Sequence, residues 1–576
     1  GIQLSSCFKD RSSGLNSSPH ALVLMMDSKK DALALVCTAG VGVAAALLLR
    51  RALRKEKQGE IPGIQLPPGF FFPLSTLFKL GKDNFNYGQG RLILQSIDSS
   101  VGIGQLTLLG QTNIMLRDPE LVQEVIQRNH QAGGGYGKSF KGSPFDPLVD
   151  QIFGRGLFFA EDHDAQWAVA HKILSKPFSH RGVLGMVPLM CEQADRLVEA
   201  LGREAALGKA VYMYDYMVKM ALETIALCSM GTRFNSFDSQ EAHPFPVAFQ
   251  AAIDALFDLV LLPPQLWSFC FRTKARMMKA VSALNGIIDD IIQKRINKET
   301  CSSGKNPDLL DLMLHGEKGL SLSEENIRSQ ILTFLFAGHD STAAAMSSFI
   351  VFMVANPQVE AKLVEEIRQI VGDGEVQEHH LRELKYLDWC LKETLRLLPP
   401  ASGFQRMAFQ EAMMLGGKWK VKKGTPIAVD IFALHMDPQT WGPDAASFVP
   451  ERWERGPPHP FSYMPFASGP RGCIGKEFSL IEQKIVAVKL LQKFEMRSLA
   501  SWTPRKGNVF IKASEPLANT TIGIDAEFCP QQFFVGASIP VELQARAGCA
   551  GPHYSQSPTP AARRGLSWRD ELGVAA

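Results

Sequence analysis

From Ser321 the chain reads SLSEENIRSQILTFLFAGHDSTAAAMSSFIVFMVAN before Pro357, and it is apolar on nearly every face of a helix. Ser321 with Glu324 predicts a capping box, and Pro357 predicts the stop. A helix of this length spans about 50 Å at ~1.5 Å per residue, so it must cross the middle of the protein. Other long helical patterns fill the centre of the chain. Strand-like runs, Gln105–Leu116 and Trp419–Ile431, cluster towards the two ends. The expected fold is mainly α with a small accessory β-sheet.

A second apolar run has different flanks. Ala32–Leu49 holds 18 uncharged residues, followed by Arg50, Arg51, Arg54, Lys55 and Lys57. Its helical length, about 27 Å, approaches the ~30 Å of a bilayer core. The basic cluster predicts one N-terminal transmembrane helix with the large body on the cytosolic side. A cleaved signal peptide carries its positive charges before the apolar run, the reverse of this order. Residues 1–31 form an N-terminal extension, serine-rich and poor in acids, read as a transit peptide or as sequence upstream of a start at Met25 or Met26. Residues 50–68 form a basic and Pro/Gly linker, 69–545 the folded body, and 546–576 a disordered tail or linker. The expected location is the endoplasmic reticulum membrane, with a plastid membrane as the alternative.

Composition narrows the class. Of 576 residues, 45% are hydrophobic and 21% charged, and the net charge of +3 gives no case for a nucleic-acid partner. Ten cysteines are scattered without a CxxC pair, which speaks against a disulfide framework or a zinc site and suits a reducing compartment.

One of those cysteines has an unusual setting, PFASGPRGCIG (Pro465–Gly475). Gly469, Gly472 and Gly475 let the backbone wrap the sulfur of Cys473 and a flat group approach it. The helix expected next, KEFSLIEQKIVAVKLLQKF, would aim its positive end at a thiolate and lower its pKa. A thiolate so placed suits haem iron, and Arg471 offers a forked cation for a propionate. The plainer reading is a structural cysteine in a tight loop. A phosphatase-type nucleophile needs its arginine after the cysteine, and here Arg471 precedes it.

The run Phe466-x-x-Gly469-x-Arg471-x-Cys473-x-Gly475 resembles the cysteine-loop signature of the cytochrome P-450 family of haem-thiolate monooxygenases. Further elements follow the family's order over roughly Leu66–Ala547. The resemblance implies the cytochrome P-450 fold, haem b (iron protoporphyrin IX) as cofactor and Cys473 as iron ligand. Glu393 and Arg396 in LKETLRLLPP, with Arg452 in FVPERW, resemble the family's buried structural Glu–Arg–Arg cluster, although such a pair alone is usually a solvated surface contact. AGHDST (Ala337–Thr342) resembles its oxygen-activating motif, where a hydroxyl loosens the helical ladder. Asp340 would relay protons and Ser341 would stand where threonine is usual, with Thr342 following. Trp167 and His171, four apart, would reach a propionate, and His171 in place of the commoner arginine resembles the fatty-acid-hydroxylating branch whose haem domain is often fused to a reductase. Phe158 and Ala337 would line the substrate pocket. Where that branch anchors a fatty-acid carboxylate by arginine and tyrosine, this chain has Gln111 and Met115.

The implied activity is insertion of one atom of O2 into a C–H bond of an apolar small-molecule substrate, with a fatty acid as the class the branch suggests. Electrons would come from NADPH through a flavoprotein reductase, either separate and docked near Lys172, Lys176 and Lys476, or fused beyond the tail. Two alternatives are a haem-thiolate isomerase or lyase acting on hydroperoxides, and a non-catalytic haem-binding protein. The first tends to lack the acid–alcohol pair, and the second leaves that pair unexplained.

Overall fold

The computed structural model describes residues 60–63, 97–98, most of 100–498, and the short strands at 527–528, 537–538 and 540–545. The expected transmembrane run 32–49, the extension 1–31 and the tail 546–576 lie outside the described residues, as does most of the linker 50–68. Among the described residues no single helix is long and apolar enough to cross a membrane.

The helices that build the site are, in chain order, α1 (Ala165–Leu174), α2 (Val187–Ala206), α3 (Met213–Met230), α4 (Pro244–Val260), α5 (Phe271–Ile296), α6 (Glu324–Ala355), α7 (Lys385–Leu397) and α8 (Lys476–Lys493). Helix α6 is the central run anticipated from sequence, 32 residues long and buried over most of its circumference. Its cap is Ser323 rather than Ser321: the Ser323 hydroxyl accepts from the Asn326 N–H, two residues later than expected. A new helix begins at Pro357, so the predicted stop stands. Helix α3 packs along α6, and Gly338 marks the crossing. A Cβ there would meet the Ile225 side chain at 2.6 Å, so a larger residue would force the two helices apart.

Each strand-like run resolves into two strands. Gln105–Leu116 gives the antiparallel pair β1 (Ile103–Leu108) and β2 (Gln111–Leu116). The run at Trp419–Ile431 gives Trp419–Val421, which pairs with Met413–Leu415 in a separate ribbon, and a longer strand, Pro426–Asp430. With β3 (Tyr136–Gly137), β4 (Gly403–Ala408) and that strand as β5, the main sheet has the order β1-β2-β5-β4-β3. The β2–β5 pairing is parallel (Ile114 opposite Ile427), and β4–β5 is antiparallel (Gly403 opposite Asp430). A three-stranded sheet joins Val211–Tyr212, Pro540–Ala545 and Phe494–Ser498. One large apolar cluster fills the helical body and a second lies under the main sheet.

Candidate active site

The loop before α8 is folded by its own backbone. The Cys473 N–H donates to the Phe466 carbonyl (2.9 Å), and the Gly472 N–H to the Gly469 carbonyl (2.9 Å). Gly469 holds φ +72°, where L side chains are strained, and a Cβ on it would press on Ile126 at 3.0 Å. Helix α8 starts one residue past Gly475, so the sulfur lies at its positive end. Cys473 is exposed to solvent, yet enclosure by surrounding protein pushes its thiol up in pKa. The two observations agree if the sulfur sits on the wall of an interior cleft. The expected lowering is present but smaller: the Gly475 N–H and Lys476 pull the thiol down, and burial outweighs them.

Beside the sulfur the structure gathers an excess of positive charge. Arg471 pairs through Nε with Asp162 (3.0 Å), donates through Nη2 to the Ala160 carbonyl and leaves the buried Nη1 without a hydrogen-bond partner. Its guanidinium lies 4.5 Å from the Trp167 ring centre, and Trp167 in turn stacks on His171 (4.9 Å, 27°). Burial first, and then Arg471, lowers the His171 pKa, which favours the neutral imidazole. Lys138 lies over the Phe158 ring (4.4 Å) and donates to the Phe158 carbonyl. Arg406, only 4% exposed on β4, is the third cation. Burial depresses the pKa of all three, Arg471 and Arg406 each to about 10 and Lys138 well below its usual value; Arg471 and Arg406 add to the depression of Lys138, and Arg406 to that of Arg471.

Asp162 is the buried carboxylate that opposes these shifts in all three cations, with Asp164 and Glu161 adding to it at Arg471, and burial still leaves each cation below its ordinary pKa. Such a cluster is costly alone and complementary to a dianion. Two propionates beside a thiolate ligand meet that requirement. The residues therefore fit haem b, with Cys473 as the iron ligand and Arg471, Lys138, Arg406, Trp167 and His171 around its acidic edge.

Lys138 and Arg406 were not anticipated from sequence. The available signal for Arg406 was a cation next to the apolar Met407 and Ala408 in a strand. For Lys138, in YGKSF, no local signal set it apart.

The expected Glu–Arg–Arg cluster is closed and fully hydrogen-bonded. Arg396 and Glu393, both with 0% side-chain exposure, form two parallel bonds (2.8 and 2.9 Å). Arg452 (2.8 Å), the Trp453 indole (3.0 Å) and the Val449 N–H (3.0 Å) also donate to Glu393. Arg396 reaches the carbonyls of His435, Ala445 and Ser447. His435, its pKa pushed down to about 3 by burial and by Arg396, is neutral and bridges the Arg396 carbonyl to the Met464 N–H. This is the physical link from the cluster to the loop that carries Cys473.

On α6 the motif residues face different ways. Ala337 and Ser341, one turn apart, are half-buried, whereas His339, Asp340 and Thr342 are buried. The Ser341 hydroxyl donates to the Ala337 carbonyl (2.8 Å), and the helix stays continuous through the motif. Asp340 accepts from the Tyr214 hydroxyl (2.9 Å). Thr342 turns to α8 and bonds Ser479 (3.0 Å), which Gln483 also contacts (2.9 Å), so it ties two helices together. Phe158 meets Phe336 edge-on (5.4 Å, 85°), directly before Ala337, and Phe159 and Phe249 extend this aromatic wall. Met115 is buried against Ala433, and the Gln111 side chain lies outside the described residues. Of the lysines expected to receive a reductase, Lys172 and Lys476 are exposed, and Lys176 is paired with Glu317 (2.8 Å).

A mainly helical body with a small sheet, a cysteine loop before a helix and a buried Glu–Arg–Arg cluster defines a haem-thiolate protein. Comparison with known proteins agrees. The cytochrome P450 family profile matches residues 102–516, and this chain belongs to the cytochrome P-450 family. It is 35% identical over 441 residues to a bifunctional cytochrome P-450/NADPH–P-450 reductase of Bacillus cereus, covering 74% of this chain and 39% of that protein. A second such protein, of Bacillus subtilis, is 32% identical over 435 residues (74% and 40%). A self-sufficient cytochrome P-450 monooxygenase of Phanerodontia chrysosporium is 32% identical over 409 residues (68% and 37%). The chain thus spans about two-fifths of the length of the curated relatives it matches.

Proposed function

We propose that the chain is the haem-binding part of a monooxygenase that inserts one oxygen atom of O2 into a C–H bond of an apolar substrate. The second oxygen leaves as water, and NADPH supplies two electrons through a flavoprotein reductase. The relatives named as bifunctional support a reductase joined to the same polypeptide. When bound, haem supplies the iron centre at which dioxygen is reduced, and Cys473 holds that iron. The protein's own residues do the rest. Arg471, Lys138 and Arg406 would hold the propionates by their charge, with Trp167 packed beside Arg471 and His171 stacked on Trp167. Phe158, Phe336 and their neighbours present an apolar wall that keeps bulk water from the cleft. Asp340 and Ser341 supply the proton donor and hydroxyl on α6 through which protons reach the cleft.

The observation that carries this reading is Cys473, exposed yet enclosed by surrounding protein at the start of α8, beside the buried cations Arg471, Lys138 and Arg406. The reduced protein under carbon monoxide should show a thiolate-type Soret band, absent in Cys473→Ala. An imidazole-type band, or product formed from hydroperoxide but never from NADPH with a reductase, refutes the proposal. For the substrate, we read an apolar compound, with fatty acids first to be tested by spin-state titration against sterols and terpenoids. We further read residues 32–49 as a membrane anchor that holds the body on the cytosolic side of the endoplasmic reticulum.

A further inference from the structure

Helix α6 carries a buried glutamine two turns before the motif Ala337–Thr342 and outside it. Gln330 is 0% exposed, in a stretch whose neighbours Ile331, Leu332 and Phe334 are buried and apolar. An amide in such a place is costly unless its polar atoms are used. They are spent on one feature. The Gln330 Oε1 accepts from the N–H of Leu157, the residue directly before Phe158 (3.0 Å). The Gln330 Nε2 donates to the Asn326 Oδ1 (2.9 Å), and the Asn326 Nδ2 donates to the Arg155 carbonyl (3.4 Å). Two amides one turn apart on α6 thus hold the stretch 155–157.

That stretch is the head of a tight turn. The Gly156 carbonyl accepts from the N–H groups of Phe159 (3.0 Å) and Ala160 (2.8 Å). The Gly156–Leu157 peptide is therefore fixed at its carbonyl by the turn and at its N–H by Gln330. Phe158 stands inside the turn, and its own carbonyl takes the Lys138 ammonium. The backbone runs close to α6: a Cβ on Gly156 would lie 2.3 Å from the Thr333 Oγ1 and 2.5 Å from the Ser329 carbonyl oxygen. At 100° per residue Gln330 and Ala337 differ by about 20°, so the amide shares the face of α6 that carries Ala337, about 10 Å away along the axis.

We propose that Gln330 is a positioning residue: it fixes the backbone from which the Phe158 ring projects, and so sets how large a molecule fits against the Phe158–Phe336 wall. Ring packing alone does not fix this. Phe158 meets Phe336 and Phe159 edge-on (5.4 Å, 85° and 4.8 Å, 76°), contacts that a ring keeps over a range of backbone positions. A hydrogen bond to a main-chain N–H is directional and holds the backbone itself. The role rests on the monooxygenase reading, in which Phe158 bounds the substrate pocket.

The test needs neither substrate nor turnover. The ferric, haem-loaded chain is titrated with imidazole and with 4-phenylimidazole, nitrogen ligands of haem that differ by a phenyl group, and the shift of the Soret band gives each Kd. The ratio of the two reads the room beside Phe158. Gln330→Met keeps the length of the side chain and drops both hydrogen bonds. It should move the ratio about fivefold in favour of 4-phenylimidazole, the factor that one ordinary hydrogen bond corresponds to, and leave imidazole within about twofold. Gly156→Ala pushes the turn off α6 from the other side and should reproduce the shift. In a Phe158→Ala background neither substitution should move the ratio further, since positioning acts through that ring. A glutamine that only stabilises the fold would lower the melting temperature and leave the ratio where it was. The proposal is overturned by a ratio unchanged or lowered in Gln330→Met, or in Gly156→Ala should the first variant not load haem. A shift of the same size with Phe158 removed overturns it too. The carbon monoxide spectrum of the wild-type chain is read separately: an imidazole-type band there refutes the haem-thiolate reading, whereas the ligand ratio speaks only to Gln330.

Discussion

Replacing Lys138 by methionine should have opposite effects on the empty and the haem-loaded protein. In the haem-free chain, burial and then Arg471 and Arg406 depress the Lys138 ammonium, and the Asp162 carboxylate offsets this only in part. Lys138→Met keeps the apolar stem over Phe158 and removes one uncompensated ammonium, so the haem-free protein should melt higher. Because the native pKa of Lys138 is depressed, the unfolded chain binds more protons than the native one between that pKa and about 10.5. Stability of the haem-free protein therefore rises with pH across that window, and the methionine variant should flatten the rise. In the loaded protein the same ammonium would pair with a propionate. A charge-assisted hydrogen bond is worth about 1.5–3 kcal/mol, so loss of Lys138 should weaken haem binding by roughly tenfold to a hundredfold. Haem transfer to an excess of apomyoglobin measures that ratio, and thermal melts of the haem-free form measure the first effect. If Lys138→Met leaves haem retention unchanged, or lowers the haem-free melting temperature, the charge-surplus argument fails.

Glu393→Gln leaves Arg396 and Arg452 buried around a neutral amide. It should cost about 3–5 kcal/mol in urea unfolding, far more than Glu365→Gln on an exposed helix. Ser341→Ala removes the hydroxyl that bonds the Ala337 carbonyl while leaving the fold intact. NADPH oxidation should continue and product formed per NADPH should drop severalfold, with Ser341→Thr restoring it; equal coupling in all three would remove Ser341 from proton delivery. Burial raises the Asp430 carboxyl to about 7, against its cap bonds to the Ala433 and Phe432 N–H groups. The native state then binds the extra proton between about pH 4 and 7, so stability declines across that window as pH rises, by up to about 4 kcal/mol. Asp430→Asn keeps the cap and should abolish that slope in denaturation series at stepped pH.

What the sequence determined by itself was local. A run apolar on all faces can satisfy its backbone only as a buried helix, so α6 and its stop at Pro357 were legible, with the cap displaced by two residues because Ser321 and Ser323 offer the same chemistry. The cysteine loop was legible for the same reason: glycines, arginine and sulfur that act together stand within a few residues of one another. The pairing of Glu393 with Arg396 is one helical turn, although only the fold shows it closed by Trp453, Val449 and His435. Tertiary structure alone decided the rest. Lys138, Asp162 and Arg406 come from three distant segments, and each alone resembles an ordinary surface charge until β4 and the loop before α1 bring them to Arg471. Helical phase separates the neighbours Ser341 and Thr342, one half-buried and bonded back to the Ala337 carbonyl, the other buried and bonded to Ser479. Likewise Trp267 and Phe269 have similar hydrophobicity, and it is the packing of the turn Pro264–Phe269 on Leu259 that buries one and leaves the other facing out. Short-range geometry is written in spacing, but the sign and solvation of a charge cluster depend on which distant segments the chain folds together.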